Sequence, residues 1–145
     1  MYYPMTDALT DEDSESYRLF KDGPYGDAKT MEWFWSTYLP EQDIRVDSTV
    51  SPLRATRDEL SGMPPALVIV DENDILRDQG EAYAAKLRDA DVPTACVRFN
   101  GTMHDFMMLN ALRDTETARA AMNLAASTFR RAFGTDHPSS SDAKR

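Results

Sequence analysis

Cysteine is nearly absent from this chain of 145 residues. The single thiol, Cys96, cannot close an internal disulfide and cannot alone supply the four-ligand zinc site that Cys/His spacing announces. Histidine is almost as scarce, with only His104 and His137, so acid–base chemistry near neutral pH has few places to reside. Cationic residues are in deficit, 16 Lys and Arg against 25 Asp and Glu. The resulting charge of −9 repels phosphate backbones and anionic bilayers, which argues against a nucleic acid partner. No stretch approaches the roughly 18 apolar residues of a membrane span, and no basic segment followed by an apolar run opens the chain. The expectation is a soluble, cytoplasmic protein.

What is present is an ordinary globular composition, 41% hydrophobic and 28% charged, sized for one domain or part of one. Residues 1 to 5 are apolar and aromatic and would serve as an inner strand. Thr6 to Ser16 is polar and acidic without apolar period, so it reads as a solvated loop. After Gly23-Pro24-Tyr25-Gly26 comes an aromatic helix over 31–39, with Thr30 as its N-cap and Pro40 as its stop. Met31, Trp35 and Leu39 share one stripe, and Phe34 and Tyr38 widen it. Such a helix packs into a core, lines an apolar pocket as a cap, or does both.

Ala66-Leu67-Val68-Ile69-Val70, bounded by Pro65 and a polar turn, reads as a strand buried on both faces. An amphipathic helix over 80–89 and a more alternating strand over 94–99 complete a βαβ unit with parallel strands and a right-handed crossover. A last helix spans about 115–133. Ala118, Ala121, Met122, Ala125, Phe129 and Phe133 form its apolar stripe, Arg130 and Arg131 its basic end, and Gly134 its C′ residue. Residues 135–145 look like a disordered tail, His137 among them.

Reactive groups of α/β sheets gather in the loops after the strands' carboxyl ends. Asp74 follows the first of these strands by four residues and His104 follows the second by five. Adjacent strands lie about 5 Å apart, so a carboxylate and an imidazole from these loops can meet. A carboxylate on one ring nitrogen fixes the tautomer and frees the other nitrogen to take a proton from a nucleophile. Asp71, Glu72 and Asp78 compete with Asp74 for that part on spacing alone. A calcium loop is disfavoured, because Asp71, Glu72, Asp74 and Asp78 lack its ligand rhythm and glycine turn.

The wording of several separated segments narrows the choice. Leu67-Val68-Ile69-Val70-Asp71-Glu72-Asn73-Asp74-Ile75-Leu76-Arg77-Asp78-Gln79-Gly80, then Phe99-Asn100-Gly101-Thr102-Met103-His104-Asp105-Phe106, with Ser51-Pro52-Leu53-Arg54-Ala55 and Tyr3-Pro4-Met5-Thr6-Asp7 ahead of them, resembles the C-terminal half of bacterial hormone-sensitive-lipase-like esterases. The resemblance runs from residue 1 to about 134. It implies a partial α/β-hydrolase fold of about three parallel strands with flanking helices, without the N-terminal half. By position it makes Asp74 the triad carboxylate and His104 the triad histidine, and it sets Ile75 and Phe106 as candidate pocket walls. Ile75 stands where the family usually has proline, and Asp105 where it often has glycine.

The family's nucleophile lies in a Gly-x-Ser-x-Gly elbow and its oxyanion hole in a His-Gly-Gly-Gly-type loop. Neither occurs here. The six glycines are Gly23, Gly26, Gly62, Gly80, Gly101 and Gly134, and no two flank a serine at that spacing. The resemblance therefore implies a carboxylic ester hydrolase represented by its C-terminal part, with a small acyl ester as substrate and no metal or organic cofactor. An N-terminal portion would supply the serine, and the chain alone would be inactive. A homodimer through the strand edge near Cys96 to Phe99 is a family habit. The rival expectation is a non-catalytic α/β module that pairs with another chain.

Overall fold

The run Ala66–Val70 follows two prolines and holds only aliphatic side chains, and in the computed structural model it opens a strand. That structure describes residues 1–9, 12–23 and 25–135. The elements are α1 (Glu15–Phe20), α2 (Ala28–Tyr38), α3 (Arg57–Leu60), β1 (Ala66–Asn73), α4 (Arg77–Asp89), β2 (Thr94–Met103) and α5 (Glu116–Ala132), with 3-10 turns at Gln42–Ile44 and Pro52–Arg54. They fall into two units, Met1–Phe106 and a second beginning at Met107.

In the first unit β1 and β2 pair in parallel, from Ala66 opposite Thr94 to Asp71 opposite Phe99. Val68, Ile69 and Val70 are buried, as expected of a strand covered on both faces. Val68 and Val70 pack on Ala84 of α4, while Tyr83 and Leu87 join Ala55, Leu60, Ala90 and Val92 in a second cluster. Gly80 sets how closely α4 lies on the strand. A Cβ there would stand 2.8 Å from Val70 Cγ1, closer than ordinary packing permits.

The expected third strand is reduced to a single parallel bridge between Tyr2 and Ile69. Tyr3 N–H donates to the Ile69 carbonyl at 2.7 Å, and Ile69 N–H to that of Met1 at 3.0 Å. Pairing stops there because Tyr3 takes φ +35° and Pro4 has no N–H to offer. The described sheet thus has two strands.

Three further expectations are corrected. The acidic stretch is not all loop: Ser14 caps α1, its side chain accepting from Tyr17 N–H. The cap of α2 is Asp27, whose Oδ1 accepts from Thr30 N–H at 2.8 Å and from the Thr30 hydroxyl at 2.6 Å, so Thr30 is a donor inside the first turn. No residue of α2 is buried; Trp33, Phe34 and Tyr38 are 61%, 47% and 77% exposed, and the helix is not a core element. It ends before Pro40, where the Arg45 guanidinium donates to the Leu39 carbonyl at 3.0 and 3.2 Å.

The second unit contains α5. Thr115 caps it through Ala118 N–H, Phe133 follows it, and Gly134 takes φ +63° as a C′ residue does. Ala118, Ala121 and Ala125 are buried, but Met122, Phe129 and Phe133 of the same stripe are exposed. The small residues of that face are covered and its large ones are not. His137 and most of the expected tail lie outside the described residues.

Candidate active site

β1 runs three residues past its aliphatic segment, and β2 four residues past Phe99, before each turns off. The pairing shifts between Asp71 and Asn73, so that Asn73 faces Met103. Gly101, at φ +72°, carries the extra length of β2, a bulge that glycine makes without steric cost. Gly101 N–H donates to Glu72 Oε2 at 2.6 Å, the Thr102 hydroxyl to the Phe99 carbonyl at 2.6 Å, and Asn73 Nδ2 to the Thr102 carbonyl at 3.1 Å. These bonds deliver the two following loops to the same edge of the sheet.

Asp74, 1% exposed, leaves β1 in a tight turn in which its Oδ1 accepts from Leu76 N–H at 2.8 Å. Its Oδ2 lies 2.8 Å from His104 Nδ1. A carboxylate can only accept, so Nδ1 carries the proton and a neutral His104 is basic at Nε2. Nε2 stands 3.9 Å from Asp105 Oδ1. Burial pulls the His104 pKa down; the hydrogen bond and charge of Asp74, with the charge of Asp105, outweigh it and hold the pKa above the ordinary value.

Asp105 sits at φ +65°, a left-handed conformation that glycine adopts freely and Asp tolerates better than most residues. That accounts for a glycine-compatible position here. The Asp105 carboxylate accepts from the Tyr25 hydroxyl at 3.2 Å. The Tyr25 ring stacks toward His104, 6.1 Å between centroids at 28°, and Tyr3 meets the imidazole at 4.9 Å. The sequence marks neither tyrosine as a site residue, although Tyr3 belongs to the Tyr3-Pro4-Met5-Thr6-Asp7 segment, since both are far from His104 in the chain.

Beside His104 lies an open hollow of about 520 Å³, walled by Tyr25, Met31, Phe34, His104 and Asp105 among others. The aromatic helix α2 thus faces the imidazole. Ile75 is 5% exposed and borders a different hollow, of about 480 Å³, with Trp35 and Leu76. Phe106 is 2% exposed and packs against Tyr3 and Phe99. Neither of these two lines the hollow that contains His104.

The residues after Asp74 brace it. Arg77 is 4% exposed; it donates to Glu15 Oε2 at 2.7 Å, Asp78 Oδ1 at 2.9 Å and the Glu72 carbonyl at 3.1 Å. Asp78 accepts from Ser16 N–H, and the Ser16 hydroxyl donates to the Ile75 carbonyl. Gln79 Oε1 accepts from the Thr6 and Asp7 N–H groups, and the buried Ser51 hydroxyl accepts from Ala8 N–H. The competing carboxylates Glu72 and Asp78 are therefore engaged away from His104. Asp71 is not: it is wholly buried, and among the described residues an oxygen of Asp71, one of Asp74 and a ring nitrogen of His104 lie within 4.8 Å of one another.

Residues 1–108 match the family model of the alpha/beta hydrolase fold. The chain belongs to the α/β-hydrolase family. It is 35% identical over 134 residues to an esterase of Gibberella moniliformis, covering 92% of this chain and 42% of that protein. A thermostable esterase from Pseudomonas putida superposes with a TM-score of 0.82 at 44% identity, over 86% of this chain and 38% of that one. Carboxyl esterase 2 of Tuber melanosporum gives a TM-score of 0.85 at 30% identity, over 90% and 42%. The chain thus spans about two fifths of the length of these relatives. No helix of the described residues is long and apolar enough to cross a membrane.

Proposed function

We propose that this chain carries the acid–base part of a serine carboxylic ester hydrolase, with Asp74 orienting His104. The observation that supports this reading best is the 2.8 Å contact from His104 Nδ1 to buried Asp74, on a histidine that also borders an aromatic-walled hollow. In the reaction, Nε2 takes the proton of a serine hydroxyl as the oxygen attacks the ester carbonyl. The imidazolium, stabilised by Asp74, then protonates the departing alcohol. Water attacks the acyl-enzyme with His104 again as base, and the acid is released. The reaction needs no metal or organic cofactor.

The serine and the oxyanion donors come from a Gly-x-Ser-x-Gly-bearing segment outside these 145 residues, because this sequence holds neither. On its own the chain turns over no ester. The substrate is a small acyl ester of short or medium chain length, bound against Tyr25, Met31 and Phe34, with α2 acting as a cap. The setting is cytoplasmic. A second copy pairs along the outer edge of β2 near Cys96 to Phe99, which no other described strand covers. The absence of a nucleophile elbow favours one competing reading, a non-catalytic module that has kept the dyad.

A serine-directed fluorophosphonate probe separates the two. Labelling is expected only when a segment bearing the elbow is supplied, and is expected to disappear in Asp74→Asn and His104→Ala. Labelling of the chain by itself contradicts the assignment of the serine elsewhere. No labelling in the reconstituted protein favours the non-catalytic module.

A further inference from the structure

The proposed mechanism makes no use of Asp71, and yet it is the most conspicuous polar group in the core. It sits on β1 opposite Phe99, 0% exposed, and neither carboxylate oxygen has a hydrogen-bond partner. Burying an ionised carboxylate without a donor is among the costliest arrangements a protein can hold. The buried guanidinium of Arg77 is spent on Glu15, Asp78 and the Glu72 carbonyl, and only His104, when protonated, favours the ionised form of Asp71. The charged or titratable groups that act on Asp71 are Asp74, from the loop after β1, and His104 and Asp105, from the loop after β2. Two of these three are carboxylates, so the local field also disfavours a negative charge.

Asp74 accepts one hydrogen bond at each oxygen, from Leu76 N–H and from His104 Nδ1, and each oxygen keeps a second acceptor site. We propose that Asp71 is a neutral carboxylic acid whose O–H donates to Asp74, making it a positioning residue that holds the triad carboxylate from a third side. The wording "triad carboxylate" rests on the hydrolase reading above; the proton on Asp71 does not. The neutral form removes the unpaired charge, gives Asp71 a partner within reach, and shares out the negative charge of Asp74. Less of that charge then acts on His104, so Asp71 restrains the basicity that Asp74 confers on the imidazole. The electrostatics agree: burial first, then the charge of Asp74, raises the Asp71 pKa to about 8, which leaves the acid protonated at neutral pH.

Infrared spectroscopy of the full chain with carboxyl-labelled aspartate tests this without any turnover. At pH 6 the wild type is expected to show the carbonyl stretch of a buried, protonated carboxylic acid. The band should vanish with a midpoint near pH 8 and be missing from the isosteric Asp71→Asn. Its absence from the wild type at pH 6, or its persistence in Asp71→Asn, overturns the proposal. So does stoichiometric Zn²⁺ uptake by the wild type with loss of the band, which would make Asp71, Asp74 and His104 a metal site.

The positioning role is read at His104 by nitrogen-15 NMR. Asp71→Asn keeps a donor and should leave the His104 titration in place, whereas Asp71→Val removes the donor and should move it upward. Equal titrations in wild type and both variants overturn the positioning role. If Asp71→Val does not fold, the same question is put to the wild type, whose Asp74 carboxyl and His104 ring signals should shift together as the Asp71 band is lost. A protonated Asp71 in a reconstituted protein that resists fluorophosphonate would refute the hydrolase reading alone.

Discussion

Replacing Gly80 by Ala pits two effects against each other. At an exposed helix position the change gains about 0.5–1 kcal/mol, because glycine gives up more backbone freedom on folding. Here the new methyl carbon would stand 2.8 Å from Val70 Cγ1, with Pro4 Cδ at 3.5 Å. Val70 is 1% exposed on the strand that ends at Asn73, so it has no space to yield. Overpacking of this kind costs about 1–3 kcal/mol, and the net expectation is a destabilisation of about 1 kcal/mol or more. Urea unfolding followed by far-UV circular dichroism should therefore show a lower midpoint, by about 0.5 M at an m-value of ~2 kcal/mol/M. Val70→Ala removes the obstructing Cγ1 and by itself leaves a cavity. Adding Gly80→Ala to Val70→Ala should cost little or be favourable, a coupling of about 1–2 kcal/mol. If Gly80→Ala raises the midpoint, or if the two changes are additive, α4 does not lie on β1 as closely as described.

Asp71→Asn should flatten the pH dependence of stability. A folded-state pKa near 8, against an unperturbed value near 4, means that the folded protein binds the extra proton between those limits. Stability from this group is thus fully present below about pH 4 and falls as pH rises to about 8, by at most about 5 kcal/mol; parallel wild-type and variant curves would contradict a raised pKa. Asp74→Asn should lower the His104 pKa, because burial remains while the neighbouring charge is gone. In the wild type the raised pKa adds stability below the unfolded histidine's value and loses it as pH climbs through the folded one, a trend that Asp74→Asn should weaken in calorimetric scans from pH 5 to 9. Tyr38→Ala, on the exposed face of α2, should change the urea midpoint by no more than about 0.5 kcal/mol equivalent. A large loss would mean that α2 is a core element after all.

β1, α4, β2 and α5 were readable because each has a strong period or an uninterrupted aliphatic run bounded by proline or glycine. The meeting of Asp74 with His104 followed from parallel strands whose loops leave one edge, a consequence of topology that needs only the order of elements. The sequence offers Asp71 as a carboxylate competing with Asp74 but does not mark it as a core residue. A carboxylate after five aliphatic residues reads as the start of a turn, whereas the strand continues through it, with Asp71 paired to Phe99 and Asn73 to Met103. The six residues of α1 are too few to show an apolar period, and the helix is held by the Ser14 cap and by ties to Arg77 and Asp78. Hydrophobicity all round signals burial in most settings, yet in α2 Trp33, Phe34 and Tyr38 are exposed and one side borders the hollow at His104. Tyr3 and Tyr25 reach the imidazole through folding of distant segments, which no local pattern encodes.

The proposed acid–base role requires that Asp74 hold His104 by Nδ1 and leave Nε2 free as the base. Long-range nitrogen-15 to proton correlation spectra of the histidine ring, recorded above its pKa, report the tautomer directly. A neutral His104 protonated at Nδ1 is expected, with that preference lost in Asp74→Asn. A neutral ring protonated at Nε2 in the wild type, or a tautomer indifferent to Asp74, would contradict it.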